Sequence, residues 1–234
     1  MLGVIVNAVA VLVGGIIGVV FNKGIKDKYA NAIMKAIGLV VILIGIKTAI
    51  DSDDTLCVII CLVLGTAIGE LLNIDRGINL LGDKVKAKVE KGKNGQSRFT
   101  EAFVTTCILF CVGSMTIVGS LEAGINHDYS ILFAKSTMDF ISSIIFAATL
   151  GYGVIFTSIF VLAFQGSITL LATLLSSVLT DAAVTEMSAV GGVILLGMAI
   201  NILELYKGEE YIKVANMIPA ILLPPLYLAV VGIF

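Results

Sequence analysis

Apolar runs of about twenty residues recur along this chain and constrain its fold more than any other feature of the sequence. A helix needs roughly twenty apolar residues to cross the hydrocarbon core of a bilayer. Hydropathy predicts eight such runs, at residues 2–21, 33–50, 56–72, 102–121, 131–150, 154–175, 189–205 and 214–234. Charged residues make up 14% of the chain, against about 25% in soluble domains. The sequence therefore predicts an all-α integral membrane protein with about eight transmembrane helices, forming one domain over residues 1–234.

The basic residues are sorted among the segments that connect these runs. Thirteen of the fifteen Lys and Arg residues belong to the odd-numbered segments, whereas the second, fourth and sixth segments carry Asp and Glu. Cytoplasmic loops of membrane proteins carry an excess of Lys and Arg. We therefore expect the odd segments to be cytoplasmic and both termini to lie outside.

The third connecting segment, residues 73–99, is the longest and the most basic. Its apolar residues recur at spacings of three and four, at Ile74, Ile78, Leu81, Val85 and Val89. This pattern predicts a cytoplasmic amphipathic helix with lysines on its polar face. Such a helix lies on the anionic leaflet of the membrane or packs under the helix bundle.

Two pairs of runs resemble each other. Residues 3–12 and 153–162 are identical at five of ten positions, and residues 36–45 resemble 189–197 with one gap. The first and second spans thus match the sixth and seventh, and copies five spans apart point in opposite directions. Inverted repeats are common in secondary transporters, with the site near the midplane of the membrane. Chance similarity between apolar segments is the alternative.

Lys135 and Asp139 lie one helical turn apart within the otherwise apolar fifth run. A charged residue at the centre of a membrane helix costs about 2.5–3.5 kcal/mol by insertion scales, so such residues mark pathways or pair with each other. Asp139 is a candidate to titrate or to bind a coupling cation, and Lys135 to set the charge of the site. An ion pair with a purely structural role is the alternative.

Small and polar residues are concentrated near the end of the fourth run, where three glycines fall within residues 113–124. Glycines at this density can break a helix, and a broken helix at membrane depth must be buried in protein or line water. Close helix packing is the alternative. Gln165 in the sixth run and the double proline in the last run can add a ligand and a kink. The candidate pathway residues are Asp139, Lys135, Gly113, Ser114, Thr116, Gly119, Ser120, Glu122, Ser136, Ser143, Gln165, Pro224 and Pro225.

The sequence carries no Walker A pattern, no dinucleotide fingerprint and no H-E-x-x-H motif, so we expect no enzyme activity and no cofactor. We expect no nucleic-acid partner, since the basic residues are few and follow topology. The four cysteines form i, i+4 pairs on apolar helices without a nearby His. That pattern favours packing over a soft-metal site. Asn7, Glu70, Glu101 and Glu204 are interpreted as interfacial anchors.

Glycines in the first and third runs offer faces for close helix packing. They are Gly14, Gly15, Gly18, Gly65 and Gly69. These faces allow either a homodimer or packing within one chain.

The glycine-rich start and residues 111–124, Cys-Val-Gly-Ser-Met-Thr-Ile-Val-Gly-Ser-Leu-Glu-Ala-Gly, resemble the YdfK/YqgA-like family of bacterial membrane proteins, DUF554. Lys135-Ser136 with Asp139, residues 150–154 and Gln165-Gly166 support this resemblance, which covers the whole chain. It implies a multi-pass protein of the bacterial inner membrane and brings no established activity.

The leading interpretation is a secondary transporter of a small solute or ion, with a midplane site around Asp139 and Lys135 and a glycine-rich broken helix. Its expected partners are the lipid bilayer and that solute or ion. A passive ion or small-solute channel is the first alternative. A structural or accessory membrane protein without transport activity is the second.

Overall fold

The computed structural model describes residues 1–22, 27–80, 99–111, 114–205 and 211–232. All regular structure in these residues is helical. The elements in chain order are α1 (Leu2–Asn22), α2 (Asp27–Ala49), α3 (Thr55–Leu72), α4 (Phe99–Cys111), α5 (Ser114–Ile125), α6 (Ser130–Leu150), α7 (Gly153–Leu170), the short α8 (Ala172–Leu175), α9 (Asp181–Ile202), a 3-10 helix (Val214–Leu222) and α10 (Pro224–Val231). Residues 74–80 are also helical, but residues 81–98 of the predicted amphipathic segment lie outside the described residues.

Within the described residues, five helices are long and apolar enough to cross a membrane, namely α1, α3, α6, α7 and α9. The number rises to seven if each of two bent pairs forms one span, α4 with α5 and the 3-10 helix with α10. The remaining predicted run coincides with α2, a helix of 23 residues. Large apolar side chains such as Leu43 and Leu71 are 66% and 86% exposed. An apolar surface of this kind fits lipid rather than water, and the predicted all-helical membrane fold is confirmed.

The most buried of these spans is α9, which contacts α2, α3, α4, α5, the 3-10 helix and α10. It begins at Asp181, where the Oγ1 of Thr180 caps the helix by accepting the Ala183 N–H at 3.3 Å. Hydropathy predicted a start at residue 189, because the acidic residues of the first two turns lower the mean. The earlier start places the carboxylate of Glu186 inside the bundle, where it is 3% exposed.

Connecting segments meet at two opposite ends of the bundle. At one end, Glu186 accepts three hydrogen bonds of 2.7–3.1 Å from the turn at residues 52–54, which joins α2 to α3. At the other end, the Asp75 N–H donates to the Asn216 Oδ1 at 2.7 Å, and the Tyr211 hydroxyl donates to the Asp75 carboxylate. The charge pattern also assigns these two groups of segments to opposite sides of the membrane, and which side is cytoplasmic stays a prediction.

Glycines allow α1 to lie unusually close to α6. A Cβ placed on Gly14 would lie 2.5 Å from the carbonyl oxygen of Phe140, and one on Gly18 would collide with the next turn of α6. Gly65 and Gly69 meet the 3-10 helix in the same way. The glycines that motivated the homodimer prediction thus pack within the chain, and the homodimer stays a prediction.

Candidate functional site

Lys135 and Asp139 form a buried ion pair on α6. The Lys135 Nζ lies 2.9 Å from Oδ1 and 2.7 Å from Oδ2 of Asp139. The two side chains are 8% and 7% exposed. Because one ammonium serves both carboxylate oxygens, the pair offsets part of the large penalty for removing two charges from water. The four-residue spacing of Lys135 and Asp139 in the sequence therefore places the two side chains in direct contact.

Asn7 of α1 and Gln165 of α7 extend this pair across three helices. Both side chains are fully buried. The Asn7 Nδ2 donates to the Asp139 Oδ2 at 3.0 Å and to the Gln165 Oε1 at 3.2 Å. We call Lys135, Asp139, Asn7 and Gln165 the buried polar network. The interpretation of Asn7 as an interfacial anchor does not match this position.

The close packing of α1 explains how Asn7 reaches the ion pair. Asn7, Val11, Gly14 and Gly18 recur at helical spacing and therefore lie on one face of α1. The two glycines bring this face against α6. A short Asn side chain can contact Asp139 only because the two helix backbones approach so closely.

Two polar atoms of the network have no hydrogen-bond partner among the described residues, the Asn7 Oδ1 and the Gln165 Nε2. The Oγ of Ser120, on the neighbouring α5, is also buried and has no partner in the described part of the chain. Leaving a buried polar group unpaired costs about 1–3 kcal/mol. Native proteins rarely accept that penalty, so these atoms are candidate partners for a water molecule or another small polar species.

The buried face of α7 carries polar residues at intervals among apolar ones such as Val161. Thr157, Gln165 and Thr169 recur on this face and are all buried. Thr157 shares a hydrogen bond of 2.6 Å with the hydroxyl of Thr106 on α4, and Thr169 donates to the backbone carbonyl of Ser120 on α5 at 3.1 Å. Residues 157 to 169 cover roughly 18 Å at 1.5 Å per residue. Buried polar groups therefore follow α7 across much of the bundle.

The break between α4 and α5 lies beside the ion pair. The two helices meet at 57°, and residues 112 and 113 between them lie outside the described residues. The hydroxyl of Thr116 donates to the carbonyl of Phe110 at 2.8 Å, which satisfies one group freed by the end of α4. The Lys135 Nζ lies 5.9 Å from the centre of the Phe110 ring, within cation–π range.

The other candidate residues are only partly brought together. Ser136 and Ser143 lie on α6 and donate to carbonyls one turn back on their own helix, both at 2.6 Å. Gly119 packs against α6. Glu122 lies near the end of α5, where its carboxylate accepts a hydrogen bond from Asn126 at 2.7 Å.

The remaining candidates lie outside the buried polar network or outside the described part. Pro224 and Pro225 are buried at the start of α10, which packs on α9 and α3. No hydrogen bond or ion pair between either proline and the network is found among the described residues. Gly113 lies outside the described residues, and for Ser114 only the position at the start of α5 is described.

The fold and this site define a helical membrane protein that buries a charged, hydrogen-bonded network between its helices. The family described as "Protein of unknown function (DUF554)" matches residues 2–229, and the chain belongs to this family. The resemblance found in the sequence is thereby confirmed.

Two relatives match nearly end to end. The chain is 32% identical over 238 residues to "Uncharacterized membrane protein YdfK" of Bacillus subtilis (strain 168), covering 100% of this chain and 98% of the relative. It is 31% identical over 224 residues to "Uncharacterized protein YqgA" of Escherichia coli (strain K12), covering 95% of this chain and 94% of the relative. No solved structure matches with significance.

Proposed function

We propose that the protein is a secondary transporter that moves a small solute or ion across the bacterial inner membrane. The observation that carries this proposal is the buried polar network, in which a charged pair is combined with unpaired polar atoms on converging helices. A purely structural ion pair has no need for the unpaired Asn7 Oδ1 and Gln165 Nε2. In the proposal, Asp139 is the charged binding group, Lys135 sets the charge of the site, and the two amides supply neutral ligands.

A route to the site follows from the neighbouring helices. Buried polar residues of α7 mark this route at Thr169, Gln165 and Thr157, with Val161 between the last two. The break between α4 and α5 lies against the same helix. A broken helix beside a binding site supports alternating access, because its two halves can move separately. Both ends of this route lie beside α4 or α5, so motion of these halves would open the site to either side.

An inverted repeat belongs to the same proposal and has two supporting observations. Three pairs of elements contact each other in matching order along the chain, α1 with α7, α2 with α9, and α3 with the 3-10 helix. An apolar groove of about 240 Å³ also lies between α1 and α7. Six of its lining residues are related by the 150-residue offset of the repeat, Ala8, Val9 and Leu12 with Ser158, Ile159 and Leu162. Equivalent positions that meet in this way support a pseudo-two-fold axis between the two helices.

The repeat also relates the polar residues of the two halves. Asn7 corresponds to Thr157 at the same offset. Asn7 bonds across to Asp139 on α6, and Thr157 bonds across to Thr106 on α4. Both members of the charged pair belong to α6, which has no counterpart in the proposed repeat. The helices around the proposed site are therefore repeated, whereas its charged residues are not.

A thermal-shift screen tests the proposal. A ligand that binds the native state raises apparent stability by mass action. Ions, amino acids and organic acids are screened against the wild type, Asp139→Asn and the control Asp128→Asn. Asp128 is exposed, and an Asn side chain can keep its hydrogen bonds to Ser130.

The expected result is a compound that stabilises the wild type and Asp128→Asn but not Asp139→Asn. No stabilising compound, with Asp139→Asn clearly less stable than the wild type, would instead support a purely structural ion pair. Saturable, gradient-coupled uptake of the compound separates a transporter from a channel.

A further inference from the structure

We propose that the buried polar network binds a monovalent metal cation, which competes directly with the Lys135 ammonium for the Asp139 carboxylate. This inference rests on the transport site proposed above and names its ligand class. Lys135 then acts as a built-in competitor that occupies the carboxylate whenever the cation is absent.

The chemistry of the network favours a cation of low charge. The Asp139 carboxylate, the Gln165 Oε1 and the unpaired Asn7 Oδ1 belong to side chains joined by hydrogen bonds. Carboxylate and amide oxygens are the ligands that hard cations take. One carboxylate with neutral oxygens balances a single positive charge. Within the described residues, no group of three or more His, Cys, Asp or Glu is arranged to hold a metal of higher charge.

Asn7 can serve both states of the site. With Lys135 on the carboxylate, the Asn7 amide turns its Nδ2 toward Asp139 and leaves its Oδ1 without a partner in the described part of the chain. A half turn of the amide exchanges the two atoms. The carbonyl oxygen would then face the carboxylate, an arrangement that becomes favourable when a cation lies between the two oxygens or when a proton is on the carboxylate.

The site offers the Lys135 ammonium a second position away from Asp139. Its Nζ already lies 5.9 Å from the centre of the Phe110 ring, one residue before the end of α4. The last carbonyls of a helix lack intrahelical partners and carry partial negative charge. The end of α4 and the Phe110 ring therefore receive the ammonium when it leaves Asp139. The exchange changes the partner of Lys135 and requires no bond to form or break.

The test measures cation binding by the full chain in detergent. NaCl, KCl and LiCl are titrated against choline chloride at constant ionic strength, and the thermal unfolding midpoint is followed for each variant. At least one of the three cations should stabilise the wild type beyond the choline control. Lys135→Met removes the competitor, so its half-saturating concentration should be at least tenfold lower. Asn7→Ala and Phe110→Leu should raise that concentration at least threefold.

Asp139→Asn should show no response beyond choline, and Asp128→Asn should behave as the wild type. Each single variant leaves one charge of the ion pair without its partner, whereas the double variant Lys135→Met with Asp139→Asn leaves neither charge in the buried polar network. The double variant therefore controls for effects of a buried unpaired charge on folding. It should unfold cooperatively without a cation response.

Three outcomes would overturn the proposal. They are a response of Asp139→Asn equal to that of the wild type, no response of the wild type and Lys135→Met beyond choline, and a Lys135→Met response no tighter than that of the wild type. If the cations fail but an organic solute stabilises the wild type and not Asp139→Asn, only the cation assignment is wrong. If neither binds and no flux is found, the transport proposal is wrong as well.

Discussion

Asn7 and Asp139 lie 132 positions apart in the chain, and the Nδ2 of Asn7 donates a hydrogen bond of 3.0 Å to the Asp139 Oδ2. This bond ties the start of α1 to the middle of α6 at the depth of the ion pair. Hydrogen bonds to ionised groups are roughly twice as strong as neutral ones. The contact therefore supports both the packing of α1 and the charge of Asp139.

Replacing Asn7 by Leu should destabilise the protein. The change removes a hydrogen bond to a charged group, which is worth about 1.5–3 kcal/mol. Unfolding by heat or denaturant in detergent measures the loss. The same change at Asn126, which is exposed and bonds to Glu122 at the end of α5, should stay within about 0.5 kcal/mol. Equal losses for the two variants would show that Asn7 is not coupled to Asp139.

A methyl group on Gly14 should separate α1 from α6. Gly14→Ala places a Cβ against the Phe140 carbonyl and the Ser143 side chain. Overpacking of this kind costs about 1–3 kcal/mol, and the variant should also bind any site ligand more weakly. Gly166→Ala is the matched control, because the nearest atom to its new Cβ is 3.8 Å away. A Gly14→Ala protein as stable as Gly166→Ala would contradict the close contact.

Glu186 should matter for stability at the predicted outer end of the bundle. Glu186→Ala leaves the part-buried Asp53 N–H without this acceptor, and the Asp54 N–H keeps only its 3.2 Å bond to the Ser52 Oγ. Each unpaired group costs about 1–3 kcal/mol, so the unfolding midpoint should fall clearly. Asp181→Ala removes an exposed carboxylate from the first turn of the same helix and should lose less, about 0.3–1 kcal/mol. A larger loss of stability for Asp181→Ala than for Glu186→Ala would show that Glu186 does not hold the turn at residues 52–54.

The Tyr211 hydroxyl should lose its proton at a higher pH than an ordinary tyrosine. Burial, together with the hydrogen bond to the Asp75 carboxylate, raises its pKa from 10.0 to about 12. Because the folded-state pKa is the higher one, the stability from this neutral phenol is present below pH 10 and is lost as the pH rises towards 12. The phenolate absorbance of the wild type minus that of Tyr211→Phe should show a midpoint near 12.

Asp75→Asn removes the neighbouring charge and should lower that midpoint. An unshifted midpoint of 10 in the wild type would contradict the contact between Tyr211 and Asp75.

Hydropathy and charge predict the membrane fold because they depend on local runs of sequence. The Lys135–Asp139 pair is predictable for the same reason, since both residues lie on one helix. Pairings between helices are not local, and only the packing of glycines against α6 brings Asn7 to Asp139. One signal could have found Asn7. The repeat aligns it with Thr157, so both apolar segments carry a polar residue at the same position.

Hydropathy assigns residues near the ends of spans less well than residues in the middle of spans. Hydropathy assigns Glu186 to a connecting segment, because acidic residues lower the mean hydropathy that defines a span. In the structure, its carboxylate is buried and accepts hydrogen bonds from the turn at residues 52–54.

The double proline that begins at Pro224 lies in the middle of a predicted span, and the sequence does not indicate which helices it contacts. Its position on α10, beside α9 and α3, follows from packing over the whole chain.

The most direct test of the transport site is uptake of labelled Na⁺ and Rb⁺ by proteoliposomes that contain the wild type, Asp139→Asn or Asp128→Asn. The buried polar network predicts saturable uptake by the wild type and Asp128→Asn, and uptake by Asp139→Asn no faster than by empty liposomes. Equal uptake by the wild type and Asp139→Asn would contradict the role assigned to the carboxylate that Lys135 and Asn7 hold.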